Sequence, residues 1–326
     1  MKPSPPRRPP APAPGMQTRS PTPAPAAPQA AARPAAAAAR NRRAPRSAAS
    51  AESAACQPAA GSAKDRQFAI NLARGLRVLR AFTPTEPILG NRELADRTGL
   101  PKATISRLTY TLTQLGYLNH SEKYHRYRLG PGVLTLGYPM LAALQIRQVA
   151  RPYMETLARE TRCTVNLGMR DRLQVVYVDT CRPERDNSAQ PDIGSTRPLL
   201  ATALGRALLI AESPAERQAA LNRLRLHDPQ RYAQDLPVWQ SDLEAFPRRG
   251  YTHSRGDWLQ EIHAVAAPIR QPPHEQGLAL NCTVVSRRLR ADWLERNVVP
   301  LLLETVVRIE RACGVVGAGE REPDLR

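Results

Sequence analysis

The sequence predicts an α+β protein: a small helical unit closed by a β-hairpin, then a larger domain of mixed helices and strands, with a disordered tail in front. Three observations carry that prediction. Residues 1–64 hold 14 of the 32 prolines and almost no large apolar residue. Residues 65–130 break short helical patterns with Gly and Pro at turn positions. Beyond residue 149, helical and strand periodicities take turns along the chain.

The tail comes first. A Pro-, Ala- and Arg-rich segment such as 1–64 cannot bury enough apolar surface to offset its ordering entropy, so disorder is expected there. It carries ten Lys/Arg against one acid, Glu52, whereas residues 65–130 carry eleven against five and residues 131–326 carry 26 against 23. The positive charge therefore sits in front of a nearly neutral body. A basic arm adding non-specific affinity for a phosphate backbone fits this. So does a passive tail, or a true start at Met16. Five scattered cysteines (Cys56, Cys163, Cys181, Cys282 and Cys313) make neither a disulfide framework nor a CxxC zinc site, and their odd number suits a reducing compartment. No run of about 18 apolar residues is present, and no apolar core follows Arg7-Arg8 or Arg42-Arg43 as an export signal requires. A cytoplasmic protein with no membrane contact, no metal and no cofactor is expected.

The ordered chain is expected to begin near Asp65. Ala69, Leu72, Leu76 and Leu79 recur at helical spacing, and the helix ends before Thr83-Pro84, since proline disfavours helix in the residue before it. Asn91 stands at an N-cap position for a short helix over 92–97, which Gly99 ends. Pro101 opens a third helix to Leu115, with Ile105, Leu108, Leu112 and Leu115 on one side and Lys102, Thr104, Ser106, Arg107, Tyr110 and Thr111 opposite. A short helix, a Gly-containing turn and a helix with a basic, hydroxyl-rich first half make a helix-turn-helix. Tyr117-Leu118 and Tyr127–Leu129 flank a basic tip and read as a two-stranded wing. Lys102, Thr104, Ser106 and Arg107 are the candidate groups for base edges and phosphates, and Lys123, His125, Arg126 and Arg128 for the backbone or minor groove. A merely solvated polar face is the bland reading of both sets.

Residues 131–148 read as a linker helix, with its apolar run from Pro131 to about Ile146, and 149–326 as the second domain. In that domain helices are expected over 149–161, 204–211, 236–249 and 293–313, and strands at 165–169, 173–179, 264–269 and 278–284. In the last strand Leu278, Leu280, Cys282 and Val284 share one face, while Ala279, Asn281 and Thr283 share the other. That second face either lines a pocket with an amide and a hydroxyl or simply meets solvent. No nucleophile elbow, P-loop, dinucleotide fingerprint or HExxH is present. His253, His263 and Cys282 lack metal-ligand spacing, so no catalytic residue is assigned.

The runs Leu72–Phe82 (LARGLRVLRAF), Glu93–Leu118 (ELADRTGLPKATISRLTYTLTQLGYL) and Tyr127–Leu136 (YRLGPGVLTL) resemble the N-terminal domain of IclR-family transcription regulators, the branch controlling aromatic-acid catabolism above all. VVYVD at 175–179, ATALGRALLI at 201–210, EIHAVAAPI at 261–269 and LALNCT at 278–283 resemble blocks of the family's effector domain, in the same order. The resemblance spans about 67–313. It implies a GAF-like effector domain binding a small organic acid, aromatic acids included, and homodimers or homotetramers on palindromic double-stranded operators. By matching positions it implies a pocket lined by Ala203, Leu204, Ser254, Ile262, Ala264, Asn281 and Thr283. Ser254 stands where the family often has an acid, and Ala264 where it has a cysteine or another polar residue. The stretch 181–196 departs from the family's block, and the N-terminal extension has no counterpart. The expected function is a ligand-modulated transcription regulator, repressor or activator, and not an enzyme. A constitutive architectural DNA-binding protein whose second domain only oligomerises is the alternative.

Overall fold

The computed structural model describes residues 67–183, 193–271, 276–285, 290 and 292–315. The tail expected over 1–64, the alternative start at Met16 and the stretch 316–326 lie outside the described residues.

The first unit runs α1 (Ile70–Arg80), β1 (Leu89–Gly90), α2 (Asn91–Thr98), α3 (Lys102–Gln114), β2 (Leu118–Ser121) and β3 (Arg126–Leu129). Gly99 turns left-handed at φ +66°, and its N–H closes α2 by donating to the Ala95 carbonyl at 2.8 Å. That conformation costs glycine little, which is why the turn falls there. The three strands pair in the order β1-β3-β2, so β1 adds a strand to the expected two-stranded wing. Val78, Leu89, Leu94, Ile105, Leu112 and Leu118 make the core beneath them. Each such side chain contributes about 1.5–3 kcal/mol by leaving water.

Three local expectations are corrected. Leu72 and Leu76, expected to form the apolar stripe of α1, are exposed, and Gly75 and Val78 are the residues that α1 buries. The helix has two apolar sides, and spacing alone does not say which one packs. Leu115 is exposed as well, while Thr109 takes a buried place on α3 by donating its hydroxyl to the Ile105 carbonyl at 2.9 Å. Asn91 is the first helical residue and not the cap; the Gly90 N–H is satisfied by the Glu93 carboxylate.

The second part runs α4 (Gly132–Ala143), α5 (Gln145–Thr161), β4 (Thr164–Asp171), β5 (Gln174–Cys181), β6 (Thr196–Pro198), α6 (Ala203–Ala211), α7 (Pro214–His227), α8 (Pro229–Arg249), β7 (Thr252–Arg255), β8 (Ile262–Ile269), β9 (Leu278–Val285), α9 (Trp293–Asn297) and α10 (Val299–Ala312). The apolar connector is thus two helices broken at Leu144, and α5 starts at 145, ahead of the expected 149. Helix α7 is absent from the sequence reading, although Ser213 and Glu216 spell its capping box. The strands form one antiparallel sheet in the order β6-β5-β4-β9-β8-β7.

Helices α5 and α10 cover one face of that sheet, over Val165, Leu167, Val265, Leu280 and Cys282. Helix α6, backed by α7 and α8, covers the other face over Val175, Tyr177, Ala264, Ala266 and Ala279. The α6 backbone lies very close to the preceding loop: a Cβ on Gly205 would stand 1.8 Å from the Leu199 carbonyl oxygen. Only glycine permits that approach. Between β4 and β5 the pairing slips. Gly168 faces Tyr177 and Leu167 faces Asp179, which leaves Val178 as an extra residue in β5. This β-bulge returns Thr180 to the α6 face opposite Asn166, and it sends Asp179 toward α5.

Candidate functional site

On α3, Lys102, Ser106 and Arg107 are exposed and Thr104 is half-buried, all opposite the buried Ile105, Thr109 and Leu112. The helix is held against α2 through Asn91, whose amide donates to Ser106 Oγ at 3.4 Å and whose carbonyl oxygen accepts from Thr109 at 3.4 Å. Among the described residues no carboxylate pairs with Lys102 or Arg107, so both cations stay available to phosphate or base edges. In the wing, Lys123 and Arg128 are exposed. Arg126 differs, because both its terminal nitrogens reach the Glu93 carboxylate, at 3.1 and 3.2 Å. The Gly90 N–H and Arg126 together hold the Glu93 carboxyl below its ordinary value. Arg126 therefore ties the wing to α2 as well as presenting charge.

The seven residues expected to line an effector pocket fall along one face of the sheet and the α6 turn above it. Ser254, Ala264 and Thr283 lie in one row across β7, β8 and β9, and Asn281 lies in the next row beside Ala266. Ile262 is half-buried at the open end of the same face, opposite Val285. Ala203 and Leu204 are buried at the start of α6. Thr252 fastens that turn to the sheet by donating to the Ala203 carbonyl at 2.7 Å. The arrangement is a mostly apolar wall with a few polar groups converging on it, as small-molecule sites require.

Several residues of this face carry no assignment in the sequence reading. Asn166 and Asn281, both buried, form the centre of a polar ladder. Thr180 donates to Asn166 at 3.1 Å, the Asn166 amide donates to Asn281 at 2.8 Å, and the Asn281 amide donates to Thr283 at 3.1 Å. Burial pushes the Tyr177 phenol up, with Arg197 and Asn281 acting in the other direction. The Arg197 guanidinium lies 5.4 Å from the Tyr177 ring and 4.9 Å from the Trp258 ring. Asn166 sits in a clean alternation and was legible as a polar residue on an inward face. The Arg197–Trp258 contact joins distant segments and leaves no local signal.

Beneath this face lies a fully buried Arg206. Its Nε donates to Asp242 at 2.6 Å, and its Nη atoms donate to the Leu200 carbonyl at 3.0 Å, to the His253 carbonyl and to Asp257 at 2.9 Å. The network joins α6, α8, β7 and the loop after β7. A cleft of about 190 Å³ opens beside it, with Arg197, Trp258, Arg231 and Tyr232 among its walls, and none of the seven expected residues lines it. Among the described residues, no three His, Cys, Asp or Glu side chains gather to hold a metal, and no helix is long and apolar enough to cross a membrane.

Residues 71–122 match the model of the IclR helix-turn-helix domain, and residues 139–311 match that of the bacterial transcriptional regulator IclR C-terminal domain. The chain belongs to the IclR family. This family member is 36% identical over 200 residues to the HTH-type transcriptional regulator TsaQ1/TsaQ2 of Comamonas testosteroni, covering 60% of this chain and 71% of that one. It is 40% identical to an IclR family transcriptional regulator from Brucella abortus of known crystal structure, with a TM-score of 0.69 over 80% of this chain and 98% of that one. An IclR homologue from Microbacterium hydrocarbonoxydans, crystallised with 4-hydroxybenzoate, shares the fold at 23% identity and a TM-score of 0.60, over 76% of this chain and all of that one. The protein is a transcriptional regulator with an N-terminal helix-turn-helix and a C-terminal effector-binding domain, and its relatives are regulators and not enzymes.

Proposed function

We propose that this regulator binds a palindromic operator as a homodimer or homotetramer, and that a small organic acid held on the α6 face of the sheet changes that binding. The single observation that carries the reading is the pairing of an exposed basic face on α3 with a buried polar ladder on an otherwise apolar wall. Lys102, Thr104, Ser106 and Arg107 would enter the major groove, where the Arg107 fork suits guanine O6 and N7. Lys123, Arg126 and Arg128 would meet phosphates. Ala203, Leu204, Ser254, Ile262, Ala264, Asn281 and Thr283 would surround the effector, and the acid acts by its differential affinity for DNA-competent and incompetent arrangements.

Assembly is supported by apolar surface that no described residue covers. Helix α4 buries none of its residues and exposes Leu134, Leu136, Tyr138 and Met140, and α1 exposes Leu72 and Leu76. Surface of this kind marks interaction sites. A second copy placed there by a two-fold axis sets two α3 helices about one duplex turn, roughly 34 Å, apart. The site of action is the bacterial cytoplasm, where the operator is.

Fluorescence anisotropy tests the reading, using DNA from the intergenic region beside the regulator's own gene and a scrambled duplex, each at several salt concentrations. The expected result is a strong preference for the native DNA, with steep salt dependence on both. Equal affinity for both duplexes overturns operator recognition and favours the architectural alternative. If no small acid shifts the thermal transition, as mass action demands of a true ligand, effector control falls.

A further inference from the structure

Strands β6 and β7 are the two edges of the six-stranded sheet. Trp258 follows β7 by three residues, yet its ring meets the guanidinium of Arg197, which is on β6. The loop after β7 therefore reaches across the α6 face from one edge to the other. It is pinned there, because Arg206 donates to the Asp257 carboxylate at 2.9 Å and Arg231 donates to the Asp257 carbonyl at 3.2 Å. Arg197 is paired with Val175 in the β5–β6 register, so its side chain belongs to the same face as Val175 and Tyr177.

Arg197 is a half-buried cation held in a fixed plane by two rings, with one Nη donating to its neighbour Thr196 at 2.6 Å. Among the described residues no carboxylate pairs with it. The acids nearby are engaged elsewhere: Asp235 pairs with Arg231 at 2.9 Å, and Asp228 caps α8 by accepting from the Arg231 N–H at 2.9 Å. The other deep cation of this region, Arg206, is already met by Asp242 and Asp257. One positive charge is left over, on a fork whose remaining N–H groups match a carboxylate. A guanidinium stacked on aromatic rings keeps its edge for hydrogen bonding, which an ammonium does not reproduce.

We propose that Arg197 is the carboxylate receptor of the effector site, and that the ligand is a monocarboxylic acid whose carboxylate enters the cleft at Arg197 and Trp258, with Tyr177 separating it from the polar ladder. This rests on the acid-sensing reading above and adds what selects the acid. Tyr177, between Arg197 and Asn281, links the charged end of the site to the polar end. The rings of Trp258 and Tyr177 limit water around the ion pair, which strengthens it.

The test is titration calorimetry of the full chain against paired probes: benzoate with benzamide, 4-hydroxybenzoate with 4-hydroxybenzamide, and isobutyrate with isobutyramide. The wild type is expected to bind at least one acid more tightly than its amide. R197M is expected to lose about 10–100-fold on that acid and under about threefold on the amide, with operator affinity and unliganded melting unchanged. R197K keeps a point charge and loses the fork, so a loss of about fivefold or more confined to the acid is expected, and it answers the question if R197M does not fold. An acid bound equally well by the wild type and both variants overturns the assignment of Arg197 while leaving acid sensing intact. A wild type that binds none of the acids overturns the acid-sensing reading, and this inference with it.

Discussion

Replacing Arg206 by methionine tests the network that joins α6, α8, β7 and the loop after β7. The Arg206 side chain is 0% exposed and that of Asp242 is 1% exposed. R206M keeps the volume and removes every donor. Among the described residues Asp242 is then left with only His253 Nδ1, at 3.1 Å, and the Leu200 and His253 carbonyls lose their guanidinium partner. Breaking one side of a buried ion pair costs about 3–5 kcal/mol, because the remaining charge stays desolvated. Asp257, whose side chain is 20% exposed, can turn to water and adds little. For a folded body of this size each kcal/mol moves the melting point by about 2–4 °C, so R206M should melt about 6–20 °C lower. Differential scanning calorimetry reads this directly. The double variant R206M/D242L removes the stranded charge and should regain most of the loss. A drop under about 2 °C, or a double variant no more stable than the single one, would refute the assignment of Arg206 and Asp242 as a structural pair.

Other expectations follow from the same geometry. R107A should weaken operator binding by about 5–150-fold, the worth of one bidentate base contact, and scrambled DNA far less; an equal loss on both duplexes by anisotropy removes Arg107 as a specificity residue. Asn281→Leu breaks the ladder at its centre and should abolish the thermal shift by acids while leaving operator affinity intact; a retained shift moves the pocket elsewhere. Burial pushes the Cys163 and Cys181 thiols from 9.0 up to about 11 and raises the Cys282 thiol as well. The fold thus favours the protonated form of all three, and for Cys163 and Cys181 that contribution is complete below about pH 9 and lost as pH rises through about 11. Iodoacetamide at pH 8 should modify the half-buried Cys313 and spare those three, as mass spectrometry can map; labelling of Cys163 as fast as Cys313 contradicts the burial argument.

The DNA-binding half was legible because its signals are local. Gly99 and Pro101 punctuate the turn, and the polar residues of α3 lie on the outside where spacing puts them. Spacing failed on α1 for a physical reason. Helix α1 packs one apolar side on its own domain and leaves another exposed, and periodicity weighs the two alike. The residues that go inside, Gly75 and Val78, are the smaller ones and lie on the side that meets α3, where a Cβ on Gly75 would stand 4.0 Å from Leu108, an ordinary contact distance. Leu72 and Leu76, the larger pair, recur at helical spacing all the same and are the ones left outside.

In the effector half, alternation placed Asn281 and Thr283 on one face, and the antiparallel register then fixed Ala264 and Ser254 beside Thr283. Alternation could not place Asp179 and Thr180, because β5 does not keep its period. Strict alternation from Tyr177 would set Asp179 on the α6 face and turn Thr180 away from it. The extra residue Val178 reverses both. Thr180 joins the polar ladder through Asn166, and Asp179, 1% exposed, meets Arg151 at 2.9 Å and Arg147 at 3.3 Å on α5. One inserted residue thus gives a single strand a hydroxyl on the α6 face and a carboxylate toward α5 at consecutive positions. A regular strand places any two neighbours on opposite faces too, but here it would assign these two the wrong way round. Arg147 and Arg151 would then lose Asp179, with Arg151 keeping its pair with Glu155, and Asn166 would lose its hydroxyl donor. The bulge arises from pairing between strands, which is why it has no signature in the order of residues along β5.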